Sequence, residues 1–511
     1  MLPVGQSRRA PRLGRMYPAT VHLGNLGICT CRLVFFTAWY YFSAFRHSIL
    51  YCGVMMNKER GQWSSRVGFV LAAAGSAIGL GAIWKFPYMA GSNGGGAFLL
   101  LYLLAVLGIG LAMMLAELAI GRATRTDPVG AFRALGGRAW SFFGYSNLAA
   151  AFIILSFYCV VGGWTVGYLI QAATGSLLVL PPGETFKSRF DTFAADPAGS
   201  LALFAVFMTM TLGILLGGVK KGIERVSKVL MPILFFLMLI IIARSVTLPG
   251  AVEGIRFFLM PDLSRITPGV LVDALGFACF SLSLGVGSML IYGSYLDRSE
   301  NIAQSALWVV LLQTLATLLS GFMILPAVFA AGLPPGEGAG LTYITLPAVF
   351  QAMPGGHFFA TVFFALLLIA ALTSSVSILE PLTAYLIDQF RIGRVWACCI
   401  MAGGSFIAGI PASWSFGGAE VGTWLGKTPF QLMDYVTSNV MLPVNVLAAC
   451  LLMGWSAKAV FRRELLGSPR ERTGEQGRLP RWAFWIETIC RIAAPAVIVA
   501  IFAANIFPAR S

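Results

Sequence analysis

Apolar residues run along this chain in long blocks separated by short polar segments. Eleven such blocks cover residues 66–90, 95–121, 140–173, 199–217, 224–247, 268–296, 300–331, 356–389, 393–411, 429–457 and 480–507. A block of about twenty apolar residues, rising ~1.5 Å per residue as a helix, matches the ~30 Å hydrocarbon core of a bilayer. The pattern predicts an all-α polytopic membrane protein with eleven transmembrane helices. Two of the blocks are interrupted in their middle: the first by Gly75, Gly79 and Gly81, the sixth by FSLSLGVG at 280–287. Loosened backbone at membrane depth is tolerated only where it lines a cavity or holds a ligand. For the glycines alone, close packing of a neighbouring helix is an equal alternative. A second broken block in the corresponding position of the other half breaks the tie, because paired interruptions are the sequence pointer to a transporter built from inverted repeats.

Composition narrows the class. Of 511 residues, 58% are hydrophobic and 11% charged, too little polar surface for a soluble protein of this size. The net charge of +15 sits in short segments between apolar blocks, so it reads as membrane topology and not as a nucleic-acid surface. Nine cysteines lack metal-type pairing; Cys159, Cys279, Cys398 and Cys450 fall inside apolar blocks, where a small hydrophobe is expected. Three histidines (His22, His47, His357) form no HExxH motif, which argues against a metalloenzyme. Neither an enzymatic activity nor an organic cofactor is expected.

The stretch 66–98, RVGFVLAAAGSAIGLGAIWKFPYMAGSNGGGAF, follows the pattern RxGFxLAxAGSAxGLGxxWKFPY and then NGGGAF. KGIE stands at 221–224, FSLSLGVG at 280–287 and LTSS at 372–375. In these motifs, over about residues 60–455, the chain resembles the neurotransmitter:sodium symporter family in a bacterial form. The resemblance implies a 5+5 inverted-repeat fold with helices one and six broken, in the bacterial inner membrane. It implies a first repeat at 66–247, an extracytoplasmic loop at 248–267 and a second repeat at 268–461. A cytoplasmic linker at 462–479 and the eleventh span at 480–511 complete the chain.

Residues 1–54 are basic and then aromatic, too short in apolar length to span comfortably, and fit a signal anchor or an interfacial helix. The preferred reading is a true start at Met55 or Met56, with 55–65 as the short basic cytoplasmic lead-in. Basic residues after the second, eighth and tenth blocks and at the turn between the fourth and fifth place the N-terminus in the cytoplasm and Ser511 outside. Residues 341–353, between Gly- and Pro-rich turns, are expected as a short amphipathic helix forming an outer lid, with an ordinary loop as the alternative.

Sodium prefers hard oxygen ligands, which carbonyls and hydroxyls supply. Residue by residue, the resemblance implies a sodium site from the carbonyls of Gly75, Ile78 and Ala370 with the hydroxyls of Thr373 and Ser374. Without the resemblance, these hydroxyls would serve their own helix. The family's other sodium site falls on Ala82 and, counted back from Pro326, Leu312. Ser281 and Ala77 remain there, and a shift of one residue would bring in Gln313; one sodium is expected. Of the chloride site of animal members, Tyr102 and Ser281 are kept, whereas Phe277, Leu312 and Ala316 are apolar, so chloride independence is expected.

For the substrate, the resemblance places Ser76, Ala77, Gly79, Gly81, Ile154, Tyr158, Phe280, Ser281, Ser283, Val286 and Ile378 around the breaks. Monoamine carriers of the family have an aspartate at the Gly79 position, so a substrate bringing its own carboxylate, an amino acid, is implied. Lys85 with Asp434 would form an outer gate, snorkelling of Lys85 being the alternative. Arg60 with Asp388, supported by Trp63, Ser294 and Tyr295, would form an inner one. The function implied is a sodium-coupled amino acid symporter in a lipid bilayer with no nucleic-acid partner. The alternative is a non-cycling amino acid sensor on the same fold; a channel is disfavoured because no charge rings are visible.

Overall fold

The computed structural model describes residues 61–334, 341–416, 423–424, 426–466 and 480–506. Residues 55–60 of the expected 55–65 lead-in, Arg60 among them, and the whole of 1–54 lie outside the described residues, as does most of the 462–479 linker. Every described span is helical, and two isolated bridges are the only extended pairing among the described residues. Among the described residues, nine helices are long and apolar enough to cross a membrane: Gly96–Thr124, Arg138–Ala173, Pro197–Leu216, Val219–Ser245, Ile302–Ala330, Gly356–Phe390, Arg394–Trp414, Pro429–Ser456 and Arg481–Phe502. A tenth is the bent pair Arg66–Ala77 and Gly81–Ser92, whose halves meet at 53°. The stretch 268–296, expected as one more span, consists of two short helices, Pro268–Ser281 and Ser288–Ser294, and neither alone is long enough to cross.

Helix starts carry their expected chemistry. Asp196, Thr267 and Thr428 accept from backbone amides in the first turn, each followed by Pro197, Pro268 or Pro429, where a missing N–H costs nothing. Residues 341–352 are helical, as the lid reading expects, but most of their side chains, Tyr343 and Phe350 among them, are buried.

Burial separates the most enclosed helices from the most outward-facing ones. The third and eighth spans bury 78% of their apolar windows inside the protein, whereas the fourth, fifth, ninth and eleventh bury only 28–33% and turn apolar side chains outward. An outward apolar surface is stable only against lipid. Spans three and eight, with both broken helices, therefore form the interior.

Candidate functional site

The first helix ends at Ile78, whose φ −85°, ψ 69° leaves the helical region, and resumes at Gly81. In the sixth stretch Ser283 (φ 54°), Gly285 (φ 81°) and Gly287 (φ 76°) are all left-handed, so the chain cannot continue as a helix there. Ser283 is not a glycine, and holding it in that region has a cost that surrounding contacts must offset. One such contact is visible: its Oγ donates to the Ser76 carbonyl at 2.8 Å and ties the two breaks together.

The eighth span closes on the same point. Ser374 Oγ donates to the Ser76 carbonyl at 2.9 Å and lies 3.4 Å from that of Gly75. Thr373 Oγ1 donates to Ala370 at 3.1 Å and Ile369 at 3.2 Å, within its own helix. Ser76 Oγ donates to Ser377 Oγ at 2.7 Å, and Ser288 Oγ to the Ser377 carbonyl at 2.9 Å. From the third span, the Tyr158 hydroxyl accepts from the Leu80 amide at 3.4 Å. Gly75, Ser76, Ala370, Thr373, Ser374, Tyr158 and Ser283 are thus brought together in one place.

Apolar side chains complete it. A Cβ on Gly81 would stand 2.6 Å from the Phe280 ring, so glycine is what lets that ring lie against the first break. Ala77, Ile154, Val286 and Ile378 are buried on the surrounding elements. Ser281 Oγ donates back to Ala278. Gly79 is closely covered: a Cβ would overlap Ser374 Oγ and approach the Tyr158 hydroxyl to 3.1 Å.

At the end of the first break away from the N-terminus, Lys85 Nζ lies 4.3 Å above the centroid of Phe280, a cation–π contact. Asp434 accepts from Ser438 Oγ at 2.8 Å, and no ion pair joins it to Lys85 among the described residues. Asp434 lines an open cleft with Lys427, Phe430, Gln431 and Tyr435.

At the opposite end, Trp63 Nε1 donates to the Tyr292 carbonyl at 3.0 Å, and its ring meets Phe69, Tyr292 and Tyr295 edge-on. Tyr295 donates to Glu380 Oε1 at 2.6 Å, and Arg394 holds Glu380 at 2.6 and 3.1 Å. This pair, a fully buried Glu380 and a partly exposed Arg394, was absent from the expectations and brings the eighth and ninth spans to the same end. Ser294 Oγ donates to Ile291 at 2.6 Å, and Asp388 is half-buried at the end of the eighth span.

A family model described as "Sodium:neurotransmitter symporter family" matches residues 60–188 and 196–511. The chain belongs to the sodium:neurotransmitter symporter family. An uncharacterised sodium-dependent transporter of Bacillus subtilis, YhdH, is 40% identical over 452 residues, covering 88% of this chain and 98% of that one. One from Haemophilus influenzae is 36% identical over 462 residues, with 88% and 99% covered. The crystal structure of MhsT in complex with L-phenylalanine matches with a TM-score of 0.80 at 40% identity, covering 87% of this chain and 100% of that one. The transporter fold of two inverted five-helix repeats with broken helices one and six is thereby shown.

In this symporter one expectation needs correction. Leu312 and Ala316 were expected at chloride-site positions together with Tyr102, but the side chains that reach Tyr102 are one position on, Gln313 and Thr317. Gln313 is fully buried, its Oε1 accepts from Tyr102 at 3.0 Å and its Nε2 donates to Thr317 Oγ1 at 2.9 Å, while Leu312 is only partly buried. Counting back from Pro326 assumed no slip, and a slip of one residue turns the helix by about 100°. Ala82 is buried, and its carbonyl accepts from Ser320 Oγ at 2.8 Å.

The sequence reading also missed a clamp on the sixth break. Glu117, from the second span, accepts from the Gly285 amide at 2.7 Å, and Asn445, from the tenth, donates to the Gly285 carbonyl at 2.7 Å. A glutamate inside LAMMLAELAIG is the signal that could have found it, since intramembrane acids are functional by default. KGIE also gains a role: Glu224 accepts from Ser64 and Lys228 and anchors the start of the first span.

Proposed function

We propose that this transporter imports an amino acid with an apolar side chain, coupled to one sodium ion, by alternating access. The observation that carries the reading is the convergence of Ser283 and Ser374 on the Ser76 carbonyl, which joins both broken helices to the eighth span. Sodium would be held by the carbonyls of Gly75, Ile78 and Ala370 and the hydroxyls of Thr373 and Ser374. The substrate carboxylate would meet the amides freed at the first break and the Tyr158 hydroxyl. Ile154, Phe280, Val286 and Ile378 supply an apolar lining, and the bound phenylalanine of MhsT supports that class of side chain. The two short helices of 268–296 together form the eleventh crossing. The basic segments then face the cytoplasm, with the N-terminus inside and the C-terminus outside.

One sodium is favoured because Ala82 offers no side-chain oxygen and the Gln313 oxygen is already used by Tyr102. Uptake into proteoliposomes should rise with sodium at a Hill coefficient near one. A coefficient approaching two, with two sodium ions counted per substrate by reversal potential, would show that Gln313 releases Tyr102 to serve a second ion. A protein that binds amino acid but accumulates none would be a sensor. Chloride independence no longer rests on Leu312 and Ala316; replacing chloride by gluconate during uptake measures it.

Lys85 and Asp434 would close the outer path. Lys85→Ala and Asp434→Ala should each reduce uptake severalfold. The exchange Lys85→Asp with Asp434→Lys should recover more than the sum of the single effects allows. Fully additive defects would leave no gate between them.

A further inference from the structure

We infer that the contact between the tenth and eleventh spans at Arg491 and Trp455 is a binding site for the phosphate of an anionic phospholipid. Arg491 lies within the apolar helix Arg481–Phe502, beside the outward-facing Ile492, and a guanidinium there needs an anion or water. The cations around it each already touch a carboxylate. Lys458 and Arg462 hold Glu487 at 3.0 and 2.7 Å, and Arg463 holds Glu464 at 3.4 Å. No carboxylate pairs with Arg491 among the described residues.

Its placement is built by both helices. Each departs from α-geometry at this level, as a π-turn over Leu452–Ser456 and another over Ile489–Ala493. Such turns free a carbonyl and recur at functional positions. Between these two turns, Trp455 Nε1 donates to the Arg491 carbonyl at 3.2 Å. Gly454 permits the approach, since a Cβ there would already stand 3.0 Å from Arg491 Cα. The guanidinium carbon lies 4.2 Å from the centroid of the Trp455 ring, a cation–π contact that fixes its position, while Trp455 itself is 56% exposed.

Trp455 stands in the last turn of the tenth span, and the exposed Trp485 and Trp482 continue the aromatic surface about one and three-quarter and two and a half turns back towards the start of the eleventh helix. Amphipathic rings of this kind sit at the headgroup level. A planar guanidinium fixed at that depth matches a phosphate with two parallel N–H donors, and an anionic headgroup adds net charge complementarity.

The test uses the full-length protein, purified in mild detergent and incubated with equal amounts of phosphatidylglycerol and phosphatidylethanolamine. Native mass spectrometry then counts the lipid retained. Phosphatidylglycerol should be retained preferentially, and Arg491→Gln should lower its retention about tenfold, the loss of one charge-assisted contact. Trp455→Leu, which keeps the charge but removes its platform, should lower it too, and Arg491→Lys should fall between. Arg225→Gln, in another basic segment, should change nothing. Equal retention of the two lipids, or undiminished retention by Arg491→Gln and Trp455→Leu, overturns the inference. Displacement by inorganic phosphate would also overturn it, since the site would then serve a free anion.

Discussion

Gly79→Asp should abolish uptake, with substrate affinity reduced by at least on the order of a thousandfold. Two costs add. The Cβ alone overlaps Ser374 Oγ and crowds the Tyr158 hydroxyl, and overpacking of that kind costs about 1–3 kcal/mol. The carboxylate would then be buried beside carbonyls and a hydroxyl already in use, at several kcal/mol more, and it would repel the substrate's own carboxylate. Gly79→Ala separates the two: it carries the overlap without the charge and should keep measurable, weakened uptake. Binding of radiolabelled amino acid to monodisperse purified protein reads the effect apart from expression. If the aspartate variant still transports the same amino acid, the substrate carboxylate does not sit at the first break, and the pocket assignment fails.

Much of this was visible in residue order alone, for a physical reason. Lipid demands long uninterrupted helices, so every interruption has to be explained, and the breaks at Gly75–Gly81 and 280–287 stand out against that background. Helix ends written by Asp196, Thr267 and Thr428 with their prolines are equally local. What sequence could not supply was rotation about a helix axis. Ile302–Ala330 is apolar on most sides, so nothing in its pattern distinguishes Leu312 from Gln313 as the residue facing Tyr102; only packing does. Partners distant in the chain were hidden for the same reason. Glu117, Glu380 and Asn445 announce themselves as polar groups in apolar blocks, but their partners, the Gly285 backbone and Arg394, are set by tertiary contact.

Thr373→Val combined with Ser374→Ala should remove sodium dependence. The two hydroxyls differ in what they do now. Ser374 reaches across to the first break, whereas Thr373 donates to its own helix, to Ala370 and Ile369. A hydroxyl bonded backward keeps its lone pairs free, so Thr373 can donate to Ala370 and still present oxygen to a cation. Hydrogen bonds and contacts to charged groups contribute about 1.5–3 kcal/mol each, so losing both oxygens should weaken sodium binding roughly a hundredfold or more. Thr383→Val supplies the control. Thr383 sits on the same helix and makes the same backward bond, to Leu379 at 3.1 Å, with no broken helix proposed to face it. If Thr373 serves only its own helix, Thr373→Val will behave like Thr383→Val, with stability slightly lowered and the sodium response unchanged. If it holds the ion, uptake by Thr373→Val will need far more sodium while Thr383→Val keeps the wild-type curve. Isothermal sodium titrations monitored by tryptophan fluorescence, run beside thermal melts of each variant, separate lost binding from lost folding.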